Sequence, residues 1–158
     1  MEMDKLENKK IAFFGGTFDP IHIGHLIIAE KAREEFNLEK VIFIPSNIPP
    51  HKKKSYASPI QRFNMVKIAI NDNSFFNISD IEIKNEGISY TYKTIKKMKE
   101  LYYEYNIFFI IGQDSLMDLQ NWYRADELIK EVVFLVAKRE SEFKYEKRNE
   151  FPVNFKFI

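Results

Sequence analysis

The sequence predicts an α/β fold in which a doubly wound, mainly parallel sheet carries helices on both faces. Short apolar runs alternate along the chain with stretches whose apolar residues recur every three or four positions. The apolar runs are mostly hydrophobic throughout, which is typical of parallel strands buried on both faces. With 158 residues, 45% of them hydrophobic, we expect one domain over residues 1–158 with a single sizeable core.

Stop signals mark several of the predicted boundaries. Gly15 ends the first apolar run, Pro45 ends the second and Gly112 ends the run before the last third of the chain. The predicted strands are residues 11–14, 41–44, 76–83, 107–111, 132–137 and a last, alternating strand at 153–157. The predicted helices are residues 26–36, 63–70, 91–102 and two short pieces between 116 and 130. Such a Rossmann-like sheet binds ligands beyond the carboxyl ends of its strands.

Composition excludes several classes of protein. Lys and Arg total 24 against 23 Asp and Glu, a net charge of +1, which argues against binding nucleic acid by bulk charge. The absence of cysteine excludes disulfides and thiolate metal sites and fits a reducing compartment, so we expect a cytoplasmic protein. The charged start, Met1 to Lys10, lacks the apolar core of a signal peptide, and no apolar run is long enough to span a membrane.

The strongest signal for function is the string GGTFDPIHIGH, which runs from Gly15 to His25 after the first predicted strand. Glycines after a strand let backbone N–H groups approach a ligand closely. His22 and His25 are three residues apart, so at a helix start they lie on one face, and Gly24 leaves room for a large group. A helix N-terminus favours anions, and imidazoles can donate to phosphate oxygens. The string predicts a phosphate site, although a lone pair of histidines at this spacing is more often a surface turn.

The string closely resembles the HxGH signature of the nucleotidylyltransferase superfamily, carried here by residues 22–25. Four further strings resemble, in order, motifs of the bacterial nicotinate-nucleotide adenylyltransferases: PSNIPPHK at 45–52, SYT at 89–91, IGQDS at 111–115 and WY at 122–123. The resemblance runs from Ile11 to about Ala137. It implies transfer of the adenylyl group of ATP to nicotinate mononucleotide, giving deamido-NAD and pyrophosphate, with Mg²⁺ carried mainly by ATP and no metal site on the protein.

The resemblance also implies roles for particular residues. Three would act in catalysis by holding phosphate oxygens: His22, His25 and Lys52. The implied ATP contacts are Gly15, Gly16, Thr17, Phe18, His22, His25, Gly112 and Asp114. The implied contacts to nicotinate mononucleotide are Asp19, His51, Tyr90, Thr91, Asp114 and Trp122. The expected chemistry is in-line attack by the mononucleotide phosphate on the α-phosphorus of ATP, driven by positioning and charge stabilisation.

Some of these residues have a plainer alternative. Trp122 could stack on a pyridinium ring or simply belong to the core. Asp114 could bind a ribose hydroxyl or order a metal-bound water, or it could cap the next short helix. Ser89 or Thr91 could likewise be an N-cap, and backbone N–H groups near Tyr90 and Thr91 are the candidates for meeting the nicotinate carboxylate.

Two rival functions stay open at this point. Phosphopantetheine adenylyltransferase has a similar start, but Trp122 and the SYT string at 89–91 argue against it. The second is a catalytically impaired nucleotide-binding protein, because the family carries an Ile-Ser-x-Thr-x-Ile-Arg motif after its last strand, at the start of a final helix. That motif is not found after residues 153–157, and the similar ISYTYK at 88–93 lies at the acceptor motif. We therefore expect a shortened form whose ATP pocket is open on one side. Acid or amide preference and oligomeric state stay undecided.

Overall fold

The structure, a computed structural model, describes residues 9–50, 55–139 and 153–158. In these ranges the strands are β1 (Lys10–Gly16), β2 (Lys40–Pro45), β3 (Phe76–Ile78), β4 (Asn106–Gly112), β5 (Val133–Ala137) and β6 (Phe155–Phe157). The helices are α1 (Ile23–Glu35), α2 (Pro59–Ile70), α3 (Thr91–Leu101), α4 (Gln113–Asp118) and α5 (Ala125–Leu128), with a 3₁₀ turn at Leu119–Asn121.

All the described strands pair in parallel in one sheet, in the order β3-β2-β1-β4-β5-β6. This confirms the predicted doubly wound, Rossmann-like sheet. β1 pairs with β2 on one side and with β4 on the other, so the strand order reverses there. The carboxyl ends of β1 and β4 consequently flank a crevice, the position at which such sheets bind ligands.

The core lies on both faces of this sheet, as the uninterrupted apolar strands predict. Ile11 and Phe13 of β1 point to one face and pack in a cluster with residues of α3, α4 and α5. Ala12 and Phe14 alternate with them and pack on the other face with residues of α1 and α2. Because both faces are covered by helices, the central strands present no polar face.

One predicted strand is wrong in its extent. The alternation at residues 81–83 predicts that the third strand continues to residue 83, but β3 ends at Ile78. The N–H of Lys84 donates to the carbonyl of Asp80 at 2.9 Å, which closes a turn where the strand was expected. Ile81 packs against the core from this turn and Glu82 is buried in it, so the apolar pattern reflects an irregular buried segment.

Helix starts also lie earlier than predicted. α1 begins at Ile23, with His22 as its N-cap, and α2 begins at Pro59, with Ser58 as its N-cap.

Within the described ranges, no helix combines the length and the apolar character needed to cross a membrane.

Candidate active site

Two adjoining cavities open at the carboxyl ends of β1 and β4. The first, about 910 Å³, contains both predicted histidines, and we call it the histidine cavity. The second, about 430 Å³, is walled by Tyr90, Trp122 and Tyr123, and we call it the aromatic cavity. They share a wall formed by the glycine turn after β1 and the start of α4: Phe14, Gly15, Gly16, Thr17, Ile111, Gly112, Asp114 and Ser115. Two ligands bound in these cavities would meet at the end of β1.

The two histidines cap the start of α1 for each other. Nδ1 of His22 accepts the N–H of Gly24, and Nδ1 of His25 accepts the N–H of His22, both at 3.1 Å. The rings stack with centroids 3.8 Å apart. A nitrogen that accepts a hydrogen bond carries no proton, so Nε2 is the nitrogen that can donate from each ring. Both side chains line the histidine cavity, as their spacing on one helix face predicts.

Gly24 has a different role from the one that we expected. A Cβ on Gly24 would lie 2.9 Å from Cε1 of the His22 ring, so the large group for which it leaves room is that imidazole. The glycine therefore permits the capping geometry of His22 directly.

The two glycines at the end of β1 leave room for the rings packed beside them. A Cβ on Gly15 would lie 2.9 Å from the Phe109 ring, and one on Gly16 would lie 3.1 Å from the Phe18 ring. Phe18, predicted to contact ATP, has a buried side chain and a left-handed backbone with φ of 51°. Its ring lies edge-on to that of His25, with centroids 5.1 Å apart, so the side chain supports the histidine from the core.

The aromatic cavity contains the predicted acceptor residues at the start of α3. Tyr90, Thr91 and Trp122 line it together with Tyr123, whose ring lies against that of Tyr90 with centroids 4.5 Å apart. No side chain caps the N-terminus of α3 in the described part of the protein. The first backbone N–H groups of that helix therefore remain available to an anion bound in the cavity.

The plainer alternative for Ser89 and Thr91, that one of them caps α3, is wrong. Tyr90 occupies the N-cap position and Thr91 is the first helical residue. The hydroxyl of Ser89 accepts the N–H of Asn47 at 2.9 Å, which joins this segment to the loop after β2. The neighbouring Ser46 hydroxyl is buried in the same cavity and has no hydrogen-bond partner among the described residues.

Asp114 lies on the wall that the two cavities share. Its alternative role as an N-cap is wrong, because Gly112 is the N-cap of α4 and Asp114 lies in the first turn. The carboxylate pairs with the guanidinium of Arg139 at 2.8 Å, and both side chains are exposed. A Cβ on Gly112 would meet nothing within 4 Å, so the space in front of this turn is open to a ligand.

Asp19 holds a loop in addition to lining the histidine cavity. Its two carboxylate oxygens accept the N–H groups of Tyr56 and Ala57 at 2.6 and 3.0 Å. These bonds fix the end of the loop that contains the predicted His51 and Lys52. Residues 51–54, and with them both of those predicted contacts and the surface charges Lys53 and Lys54, lie outside the described residues.

Two buried ionisable residues near the site were missed in the predictions from the sequence. Arg62 is fully buried in α2 and donates to the carbonyls of Thr17, Asn47 and Ala57 at 2.7, 3.0 and 3.3 Å. It thereby joins three loops around the site. Burial lowers the pKa of its guanidinium, and the negative charge of Asp19 has the opposite, smaller effect. The signal was present, because Arg62 lies four and eight residues before Val66 and Ile70 on the buried face of α2.

Glu82 is the second missed residue. It lines the aromatic cavity, its side chain is buried, and it accepts the hydroxyl of Thr94 at 3.0 Å. Burial raises the pKa of its carboxyl to about 7, although hydrogen bonds from Thr94 and Ser89 oppose that shift. The sequence signal pointed the other way, since alternation with Ile81 and Ile83 placed Glu82 on an exposed strand face.

Comparison with known proteins identifies the family. A family model described as cytidylyltransferase-like matches residues 13–152. A relative from Exiguobacterium sibiricum, named "Probable nicotinate-nucleotide adenylyltransferase", is 47% identical over 130 residues, which are 82% of this chain and 69% of the relative. One of the same name from Desulfitobacterium hafniense is 45% identical over 149 residues, 91% of this chain and 72% of the relative.

Solved structures give the same result for the fold. The nicotinic acid mononucleotide adenylyltransferase of Plasmodium falciparum, complexed with NaAD, superposes with a TM-score of 0.78 at 25% identity, over 95% of this chain and 74% of that one. A structure of the same enzyme complexed with an ATP analogue gives 0.77 at 26% identity and the same coverage. The chain therefore belongs to the cytidylyltransferase-like family and, within it, to the nicotinate-nucleotide adenylyltransferases.

Proposed function

We propose that this chain transfers the adenylyl group of ATP to nicotinate mononucleotide, forming deamido-NAD and pyrophosphate for NAD biosynthesis. The observation that carries the proposal is the shared wall between the two cavities. One cavity offers paired imidazoles at a helix start, which suit a triphosphate. The other offers stacked aromatic rings, which suit a pyridinium. A shared wall allows the attacking phosphate oxygen to approach the α-phosphorus directly.

In this proposal the histidines stabilise charge and transfer no proton. The reaction forms no covalent enzyme intermediate. With Nδ1 of His22 and His25 occupied by backbone N–H groups, Nε2 of each ring would donate to triphosphate oxygens. The mutual capping holds both donors in place before ATP arrives, so little reorganisation is needed as charge moves toward the leaving pyrophosphate. The cations Lys138 and Arg139 line the same cavity.

The aromatic cavity would hold nicotinate mononucleotide with its ring against Trp122 and its carboxylate toward the start of α3. None of the described residues that line it is a lysine or arginine. The uncapped N–H groups near Tyr90 and Thr91 would therefore meet the carboxylate. His51 and Lys52 remain proposed contacts to the substrate phosphates.

Mg²⁺ would enter this site with ATP. Among the described residues no group of three or more His, Asp or Glu side chains is arranged to hold a metal. A Mg²⁺ ion can bind through substrate phosphates and one or two carboxylates, and Asp114 on the shared wall fits the latter role. When bound, the metal would neutralise phosphate charge. We also propose a cytoplasmic location, because the chain contains no cysteine.

The experiment that tests the proposal is a pyrophosphate-release assay of the purified chain with ATP, Mg²⁺ and one acceptor at a time. Nicotinate mononucleotide, its amide analogue and phosphopantetheine are compared. We expect pyrophosphate and deamido-NAD with the first acceptor and much less pyrophosphate with the other two. Release only with phosphopantetheine would favour that rival. No release with any of the acceptors would favour the impaired nucleotide-binding protein, and release in the absence of an acceptor would indicate an ATP hydrolase.

A further inference from the structure

Glu82 is a buried carboxyl on the wall of the aromatic cavity to which the reaction assigns no role. Its side chain is 8% exposed and belongs to the irregular segment between β3 and α3. Oε2 lies 3.0 Å from the hydroxyl of Thr94, and the nearby Ser89 is also buried on the same cavity wall. Burial without a cationic partner favours the neutral form of a carboxyl, because it removes water from the charged form.

Proton counting favours the neutral acid. The hydroxyl oxygen of Thr94 lies 3.0 Å from Oε2 of Glu82 and 3.3 Å from the carbonyl oxygen of Tyr90. A threonine hydroxyl has one proton, so it can donate to only one of these two acceptors. If Glu82 carries a proton on Oε2, it donates to Thr94, which then donates to Tyr90. In that state each short contact is a separate two-centre hydrogen bond, whereas an ionised Glu82 leaves a single proton for two acceptors.

The charges around Glu82 agree with this assignment. In the described part of the chain, no lysine, arginine or histidine forms an ion pair or hydrogen bond with its carboxyl. Burial without such a partner raises its pKa to about 7. The other charged side chains in its own segment are Asp80, Lys84 and Glu86, and those on α4 are Asp114 and Asp118. Helix α3 contains Lys93, Lys96, Lys97, Lys99 and Glu100.

The groups that Glu82 holds are the ones at which the acceptor would bind. Through Thr94 it reaches the carbonyl of Tyr90, the N-cap of α3. Ser89, just before α3, joins this segment to the loop after β2, since its hydroxyl accepts the N–H of Asn47 and its N–H donates to the carbonyl of Ile48, both at 2.9 Å. Glu82 therefore contacts the start of α3 where that helix is joined to the loop after β2, and the two segments form one side of the cavity.

We propose that Glu82 is a positioning residue that, as a neutral carboxylic acid, fixes the start of α3 so that the cavity accepts an acceptor bearing a carboxylate. The proposal rests on the proposed function. It adds a reason for the chemical class of the acceptor: a neutral acid leaves the helix N–H groups to the substrate carboxylate. An ionised Glu82 would repel that carboxylate and break one of the two bonds of Thr94.

The test compares wild type with Glu82→Gln, which is neutral at every pH and similar in shape, and with Glu86→Gln, an exposed control in the same segment. KM for nicotinate mononucleotide, KM for ATP and kcat are measured from pH 6 to 9. We expect KM for the mononucleotide to rise about tenfold above pH 7 in wild type and Glu86→Gln, but not in Glu82→Gln. The pH dependence of KM for ATP should be the same in all three proteins, because the ionisation of ATP itself does not depend on the variant. If KM for the mononucleotide changes with pH equally in wild type and Glu82→Gln, the proposal is overturned.

A second measurement keeps this test separate from the activity. The infrared spectrum of wild type at pH 6 should contain the carbonyl band of a protonated carboxylic acid that disappears as the pH rises through 7 and is missing from Glu82→Gln. If that variant does not fold, the band and its pH dependence in wild type decide alone. A spectrum at pH 6 without the band would overturn the proposal even if the enzyme is active. The band without any turnover of the mononucleotide would instead overturn the proposed function.

Discussion

The histidine pair and the aromatic cavity are built in different ways from the same chain. The histidine pair comes from four consecutive residues, 22–25, and its geometry follows from one helix start. The aromatic cavity is assembled from segments that lie far apart in sequence, including Ser46, Glu82 and Trp122. The histidine pair can tolerate changes elsewhere in the fold, whereas the aromatic cavity depends on the hydrogen bonds that hold its segments together. Substitutions in the histidine pair and in the aromatic cavity should therefore have different effects.

The largest effect should come from removing a histidine. His22→Ala should lower kcat by roughly 10² or more, the scale for losing one preorganised donor in a charge-stabilising site. The matched control is His22→Asn, since asparagine is a good N-cap but lacks the imidazole Nε2–H. Chemical denaturation should show that Asn retains the stability of the helix start and Ala loses about 1 kcal/mol.

These two variants separate the two functions of one residue. If His22→Asn restores turnover, the imidazole serves only as a cap and the phosphate assignment fails. His25→Ala and His25→Asn form an equivalent pair, because Nδ1 of His25 accepts the N–H of His22.

The next effect concerns the buried acid of the aromatic cavity and is measured on stability alone. The carboxyl of Glu82 has a pKa of about 7 in the folded chain against 4.5 as its ordinary value. Between these values the unfolded chain loses this proton and the folded chain keeps it, so the free energy of unfolding falls as pH rises. The loss should reach about 3 kcal/mol relative to Glu82→Gln and should be absent below pH 4.5.

Urea unfolding of both proteins from pH 4 to 8 checks this. Because the remaining carboxylates titrate in both, the difference between the two curves isolates Glu82. A difference that stays constant with pH would mean that Glu82 is ionised in the folded protein.

A smaller effect is expected at the aromatic wall. Trp122→Ala should weaken binding of nicotinate mononucleotide by about 1–3 kcal/mol, with base–aromatic stacking as the guide to magnitude. ATP affinity should change much less, because Trp122 lines only the aromatic cavity of the two. Isothermal titration with each ligand separates these outcomes. An equal loss for both would identify Trp122 as a core residue, which its packing against the cluster around Phe13 makes the natural alternative.

The same contrast explains what could be predicted from the sequence. The alternation of apolar runs and helical periods predicts the sheet and the two helical layers, because burial on both faces leaves a direct pattern. The histidine motif is local, so its spacing predicts its geometry. The role of Gly24 was not predictable in detail, since the group that fills its space is the neighbouring ring.

Buried ionisable side chains are the part that hydropathy could not reveal, because it treats Arg62 and Glu82 as surface residues. Arg62 contacts Thr17, 45 residues away, and Glu82 contacts Thr94, 12 residues away. Of the two, only Arg62 has a spacing that indicates a buried helix face. The segment at residues 79–83 shows the consequence. Its alternation predicts a strand with Glu82 outside, whereas the carboxyl is inside and bonded to α3.

The smallest effect tests whether the histidine cavity is as local as the comparison implies. Arg139 lines it from the end of β5, and its guanidinium pairs with Asp114 on the shared wall. The backbone N–H of Arg139 donates to the buried side chain of Gln113 at 2.8 Å, so a change of side chain leaves the segment anchored. Arg139→Gln should therefore have little effect on stability, as expected for an exposed ion pair.

We expect Arg139→Gln to raise KM for ATP two- to fivefold, roughly the loss of one exposed cation near a triphosphate, with the difference shrinking at high salt. Arg139→Lys is the matched control, because it keeps the charge and loses only the forked geometry. Steady-state kinetics at two salt concentrations check both variants. A rise in KM for the mononucleotide instead would mean that Arg139 acts through Asp114 on the aromatic cavity, so that both cavities depend on distant segments. If KM for both substrates is unchanged, the histidine cavity depends on the motif at residues 22–25 and not on Arg139.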